Sequence, residues 1–213
     1  MSPPWWLYVG SLSQFAPLAT GLAPGRRQRG PRAWVLVWVG LYIATDVISW
    51  VLGRQGINNH WVSYVSTPLE AVAILWALSL WQRQAVARTA IRNSIPLVLL
   101  ALLATIAFED RNNFSRYTEP VLSMVVLLVA LYTLATRSME TTDPLQRQDW
   151  FWICIAVAVV YGSIAALTPL AYAFVNTNRE LVGHLYQIKT VVHVAAMTGL
   201  TIGLLCPTPP ALS

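Results

Sequence analysis

The chain has 213 residues, of which 56% are hydrophobic and only 11% charged, against roughly a quarter charged in an ordinary soluble domain. That balance excludes a water-soluble globular domain, and apolar runs of about twenty residues without strict polar alternation point to membrane-crossing helices rather than barrel strands. The net charge of +5 does not signify nucleic acid, because the basic residues are almost all Arg at the ends of apolar runs, where they report topology.

In chain order, seven spans are expected at about 5–23, 33–53, 60–81, 94–109, 119–136, 150–170 and 182–205, an all-α, polytopic seven-transmembrane-helix bundle. The first is the most polar, with Ser11, Ser13, Gln14 and a mid-span Pro17. Its start, MSPPWWLYVG, lacks the basic segment and cleavage site of a secretory signal, so it is expected to stay in the mature protein. The fourth, IPLVLLALLATIAF, is short. Arg26, Arg27, Arg29 and Arg32 follow the first span, Arg83, Arg88 and Arg92 the third, and Arg137 and Arg147 the fifth. The other face has only Arg54, Arg111, Arg116 and Arg179. The positive-inside rule then puts the N-terminus outside and the C-terminus in the cytoplasm, in a bacterial plasma (inner) membrane. Trp5, Trp6, Trp34, Trp61, Trp81, Trp150 and Trp152 fall at span ends, where an amphipathic ring suits the headgroup level. Cys154 and Cys206 fall near cytoplasmic ends and are expected as free thiols. No loop is long enough to fold as a domain, so activity is expected in the bundle or through partners: lipid, other membrane subunits or a second copy.

Ionisable groups inside a span are costly and mark functional sites. Asp46 in span two, Glu70 in span three, and Lys189 and His193 in span seven qualify. From the outer face, Asp46 lies about seven residues in and Glu70 about ten, or roughly 10–15 Å deep at the helical rise. Each sits on a polar stripe: Tyr42, Asp46 and Ser49; Ser63, Thr67 and Glu70; Tyr186, Lys189 or Thr190, and His193. Pro68 frees the carbonyl of Tyr64 beside this layer. Two carboxylates against one ammonium leave an excess negative charge. A retained proton, a protonated His193 or a bound cation must balance it. His60 and His184, at the outer ends of spans three and seven, are the residues a metal would use, though they lack HxxxH or HExxH spacing. Tyr161, Gly162 and Ser163 interrupt span six, which suits close helix approach or a ligand cavity.

The Thr67-Pro68-Leu69 run and a lysine in the last span resemble the microbial rhodopsins, and that resemblance implies retinal held at Lys189 as a Schiff base. The chain departs from that family where Trp61-Val62-Ser63-Tyr64 replaces the acidic counterion segment and Tyr161-Gly162 stands in place of a Tyr-Pro. The stretch from Tyr64 to Glu70 and the Phe151-Trp152 pair also resemble small, functionally uncharacterised bacterial seven-helix membrane proteins, which implies the fold and no activity.

Three functions follow as expectations. The first is a non-enzymatic bundle, with no catalytic residue, that senses a small ligand through Asp46, Glu70, Lys189, His193, Thr67, Tyr64 and Tyr161 or serves as a subunit of a larger membrane complex. The second is a proton-coupled transporter or proton relay built on the same charged layer. The third is an intramembrane hydrolase using Ser63, His193 and Glu70.

Overall fold

The computed structural model describes residues 5–24, 28–110, 115–175 and 177–207. Arg26, Arg27 and Arg111, used in the topology reading, lie outside these residues, as does the side chain of Arg179. The described residues form α1 (Trp5–Ser13), α2 (Phe15–Leu22), α3 (Pro31–Arg54), α4 (Trp61–Leu80), α5 (Ala85–Phe108), α6 (Thr118–Glu140), α7 (Asp149–Phe174) and α8 (Arg179–Leu205), with a short 3-10 turn at Leu145–Arg147 and no strand. Six of the helices, α3 to α8, are long and apolar enough to cross a membrane.

Local chemistry sets the boundaries. Pro31 opens α3 at a position that needs no backbone donor. Gly56, at φ 71°, closes it: its N–H donates to the Gly53 carbonyl (3.2 Å) and that of Ile57 to Leu52 (3.0 Å), the paired bonds of a Schellman motif. Asn178 caps α8 by accepting from the Leu181 N–H at 3.0 Å. At the start of α6 the Glu109 carboxylate accepts from the Thr118 hydroxyl at 2.8 Å and from the backbone N–H of Tyr117.

Two spans differ from expectation. The first is broken into α1 and α2 at Gln14, and neither piece alone is long enough to cross. Pro17 has no N–H to donate to the Ser13 carbonyl, so the helical ladder fails one turn before it. The fourth is not short: α5 runs 24 residues because it begins at Ala85, upstream of its apolar core. Arg88 and Arg92 are carried in its first two turns. The Arg88 guanidinium donates to the Gln82 carbonyl (2.7 Å), and Arg92 lies 4.5 Å from the centre of the Trp76 ring. Trp150 and Trp81 also depart from their expected headgroup position. They are 1% and 7% exposed, because Trp150 turns into the core and Trp81 follows α4 inward.

The helices pack as an up-and-down bundle. α4, the most enclosed span, contacts α3, α5 and α6; α7 lies between α6 and α8; α1 and α2 run along α8, and α2 also meets α3. One end carries the α3–α4, α5–α6 and α7–α8 connections and is termed the His60 end; the opposite is the Arg83 end. At the Arg83 end Arg32 pairs with Asp149 at 2.7 Å, both buried, and donates to the Pro207 carbonyl at 3.2 Å, tying α3, α7 and the residues after α8 together. The α7–α8 seam is tight because Gly199 and Gly203 place a small-xxx-small stripe on α8. A Cβ at Gly203 would stand 2.6 Å from Ile153 Cγ1 and 3.2 Å from the Asp149 carbonyl oxygen, whereas one at Gly40 would meet nothing within 4 Å.

Large apolar side chains face outward along the spans, with Leu97, Leu100, Leu128 and Val191 all at least 60% exposed. Such a belt is unstable in water and suits hydrocarbon. From the glycine geometry, Gly203→Val is expected to destabilise the protein by about 1–3 kcal/mol through overpacking. Gly40→Ala is expected to be neutral or to stabilise by up to about 1 kcal/mol through helix propensity. Thermal unfolding of the two variants in one detergent checks both.

Candidate functional site

Two contiguous cavities open the His60 half of the bundle. The outer one, a vestibule of about 690 Å³, has walls that include Trp6, Tyr8, Trp50, Tyr172 and Tyr186 and reaches Asn59, His60 and Ser115 at the connections. The inner one, about 190 Å³, is lined by Tyr42, Thr45, Ser66, Thr67, Glu70, Ser123 and Tyr161. Asp46, Ser63, Glu119 and Lys189 line both and form the neck between them.

Each helix delivers its group for a local reason. Asp46 projects from the middle of α3 toward the break in the N-terminal segment. There its Oδ2 accepts from Gln14 Nε2 at 2.7 Å and from Ser11 Oγ at 3.2 Å. Gln14, 3% exposed, is the residue that the break exposes for this bond. Glu70 follows Pro68 on α4, is 8% exposed, and has Ser66 one turn before it. Glu119 enters from the first turn of α6. Lys189 comes from α8 and makes no ion pair within 4 Å among the described residues, so its ammonium serves the neck rather than one acid. Three carboxylates and one ammonium therefore share one polar space.

The structure brings together Asp46, Glu70, Lys189, Thr67 and Tyr161. Tyr161 is 2% exposed and stacks on Trp38 at 5.9 Å, and among the described residues its buried hydroxyl makes no well-aligned hydrogen bond, the Trp38 indole N–H being its polar neighbour. His193 and Tyr64 line neither cavity. The His193 ring stacks on Tyr42 at 5.4 Å, behind the inner cavity. Tyr64 instead points to the α5–α6 connection, where its hydroxyl donates to the Asp110 carbonyl at 3.4 Å.

Of the hydrolase candidates, Ser63 donates to the His60 carbonyl (2.9 Å) and the His193 ring stacks on Tyr42, and no hydrogen bond joins Ser63, His193 and Glu70 among the described residues. His60 lines the vestibule, while His184 sits on an exposed turn, its ring 3.4 Å from Gln187 and 3.9 Å from Glu180. No group of three metal-ligating side chains occurs among the described residues.

Sequence reasoning missed Glu119 and the role of Gln14. Glu119 stands at the first residue of the expected fifth span and reads as an interfacial helix start; only the cavity it shares with Asp46, Glu70 and Lys189 reveals its place.

Toward the Arg83 end the polar space stops. Beyond Glu70 the same helix presents Ala71, Ile74, Leu75 and Leu78, facing Val35, Trp38, Val157 and Val160, each 2% exposed or less. The site is a pocket with a closed apolar floor.

The outward apolar belt, the crossing-length helices and this enclosed polar pocket define a helical, multi-pass membrane protein. Comparisons with protein-family models, with curated proteins and with solved structures return no match.

The Asp46 contacts set an energetic expectation. In a cycle of Gln14→Ala and Asp46→Ala, thermal unfolding is expected to give a coupling of about 1.5–3 kcal/mol, as for a hydrogen bond to a charged group. Additive losses would mean that the observed bond contributes nothing.

Proposed function

We propose that this protein is a non-enzymatic, seven-helix receptor that binds a small ligand from the outer face of a bacterial plasma membrane. In this reading α1 and α2 together form the seventh traverse. From Trp5 to Leu22 they cover about 27 Å at the helical rise, close to the hydrocarbon thickness. Their course supports it: Ser11 meets Asp46 in the His60 half, while Gly21 packs against Leu36 near the start of α3. The His60 end, poorer in arginine, is then outside, with the N-terminus, and Cys206 and the C-terminus are cytoplasmic.

The observation that carries the reading is the two-part cavity, open at one end and floored by apolar side chains at the other. Its volume falls within the range of small-molecule sites. A transporter or proton relay needs a continuous polar path across both halves, whereas α4 carries only apolar side chains between Glu70 and the buried Ser79 in this conformation, with the buried Gln82 just after the helix.

Thiol labelling tests orientation and closure together. A membrane-impermeant maleimide is expected to label Ser63→Cys in intact cells and native Cys206 only in inverted vesicles. Cys206 labelling is expected to be slow at neutral pH and faster as pH rises, because partial burial and the nearby Asp149 carboxylate raise its thiol pKa and deplete the reactive thiolate. Position 63 labelled from both sides would favour a conduit, and no labelling from either side would contradict an accessible pocket.

A further inference from the structure

We infer that the ligand of this pocket is an organic ammonium ion carrying an aromatic or apolar body, with its charged end in the inner cavity at Glu70 and its body in the vestibule. This inference rests on the binding reading above and specifies its chemistry.

Charge is the first ground. Asp46, Glu70 and Glu119 face one Lys189 across the neck and inner cavity. A low-dielectric interior does not hold that excess uncompensated; a proton retained on a carboxyl balances it in the empty pocket, and a positive ligand takes the place of that proton when it binds. Dispersal of the charge is the second. Among the described residues no three carboxylate or imidazole groups converge closely enough to hold a metal ion, so a bare divalent cation finds no cage there, whereas a molecule spanning both cavities meets the acids separately.

The third ground is independent of the acids. Tyr161 lines the inner cavity, and among the described residues its buried hydroxyl makes no well-aligned hydrogen bond, its polar neighbour being the equally unpaired Trp38 indole N–H. A buried hydroxyl left unpaired is costly, which marks the position where an external group belongs. An ammonium donates three hydrogen bonds, and the inner cavity offers it Glu70 and the Tyr161 oxygen, with Asp46 at the neck. At about 190 Å³ this space suits an ammonium arm and a few waters, each needing roughly 30 Å³.

The walls of the vestibule supply the fourth ground. Aromatic faces attract cations and cover apolar rings. Two of these rings already do so within the protein: Arg54 lies 4.1 Å from the centre of the Trp50 ring and Arg116 5.2 Å from that of Tyr172. Trp6, Tyr8 and Tyr186 remain to line the space between.

The experiment titrates the full-length protein in lipid nanodiscs with three matched probes: 2-phenylethylammonium, neutral 2-phenylethanol and 3-phenylpropionate. Tryptophan fluorescence, with Trp6 and Trp50 in the vestibule wall, is the readout. The ammonium is expected to bind at least tenfold more tightly than either control. Glu70→Gln is expected to abolish that preference and Tyr161→Phe to weaken ammonium binding about tenfold. Glu70→Asp, which keeps the charge, is expected to retain the preference and guards against a folding defect in the Gln variant.

Equal or tighter binding of the alcohol or the carboxylate would overturn the cation inference and leave the pocket reading intact. No response to any probe at millimolar concentration would overturn both. An ammonium preference unchanged by Glu70→Gln would place the cation elsewhere and overturn the assignment.

Discussion

Three carboxyl groups held inside an apolar bundle are the constraint around which this protein is organised. Asp46, Glu70 and Glu119 come from three different helices, and Lys189 from a fourth stands among them. Charges in such a place require hydrogen bonds, counter-charge or water, and the structure supplies some of each kind of access. Gln14 and Ser11 donate to Asp46, the neck carries the Lys189 ammonium, and the cavities open the acids to the His60 end. The break between α1 and α2 belongs to the same solution, because Pro17 interrupts the ladder where Gln14 must turn to Asp46.

The rest of the bundle makes this polar half tolerable by being its opposite. Toward the Arg83 end the core closes on Ala71, Ile74, Leu75 and Leu78 without a polar side chain among them. The Arg32–Asp149 pair and the Gly199–Gly203 stripe draw α3, α7 and α8 together there. A buried ion pair adds little net stability but specifies register. Here it fixes α3, which carries Asp46, relative to α7, which carries Tyr161. Tight apolar packing at one end and an open polar space at the other is the contrast on which the proposed binding function rests.

Much of this could be read before the fold was known, for a physical reason. Asp46, Glu70 and Lys189 stand out because a charge inside an apolar run has so few stable surroundings, and five of the six crossing-length helices lie close to their expected spans. What could not be read depends on tertiary contact. Gln14 is a neutral polar residue whose partner lies 32 positions away, and no local spacing encodes that bond. Glu119 sits where a span begins, a position at which acids are ordinarily interfacial. Arg88 and Arg92 look like loop residues until Trp76 of α4 and the Gln82 carbonyl just after that helix receive them. His193 is reached only indirectly, since its ring stacks on Tyr42, which lines the inner cavity, while His193 itself does not.

The central claim is that the excess charge around Glu70 is balanced by a bound cationic molecule. Native mass spectrometry of the protein released gently from its own membrane tests it most directly. The account predicts a small cationic adduct on the wild-type chain that is absent from Glu70→Gln. The bare chain mass in both proteins, or the same adduct in both, would contradict it.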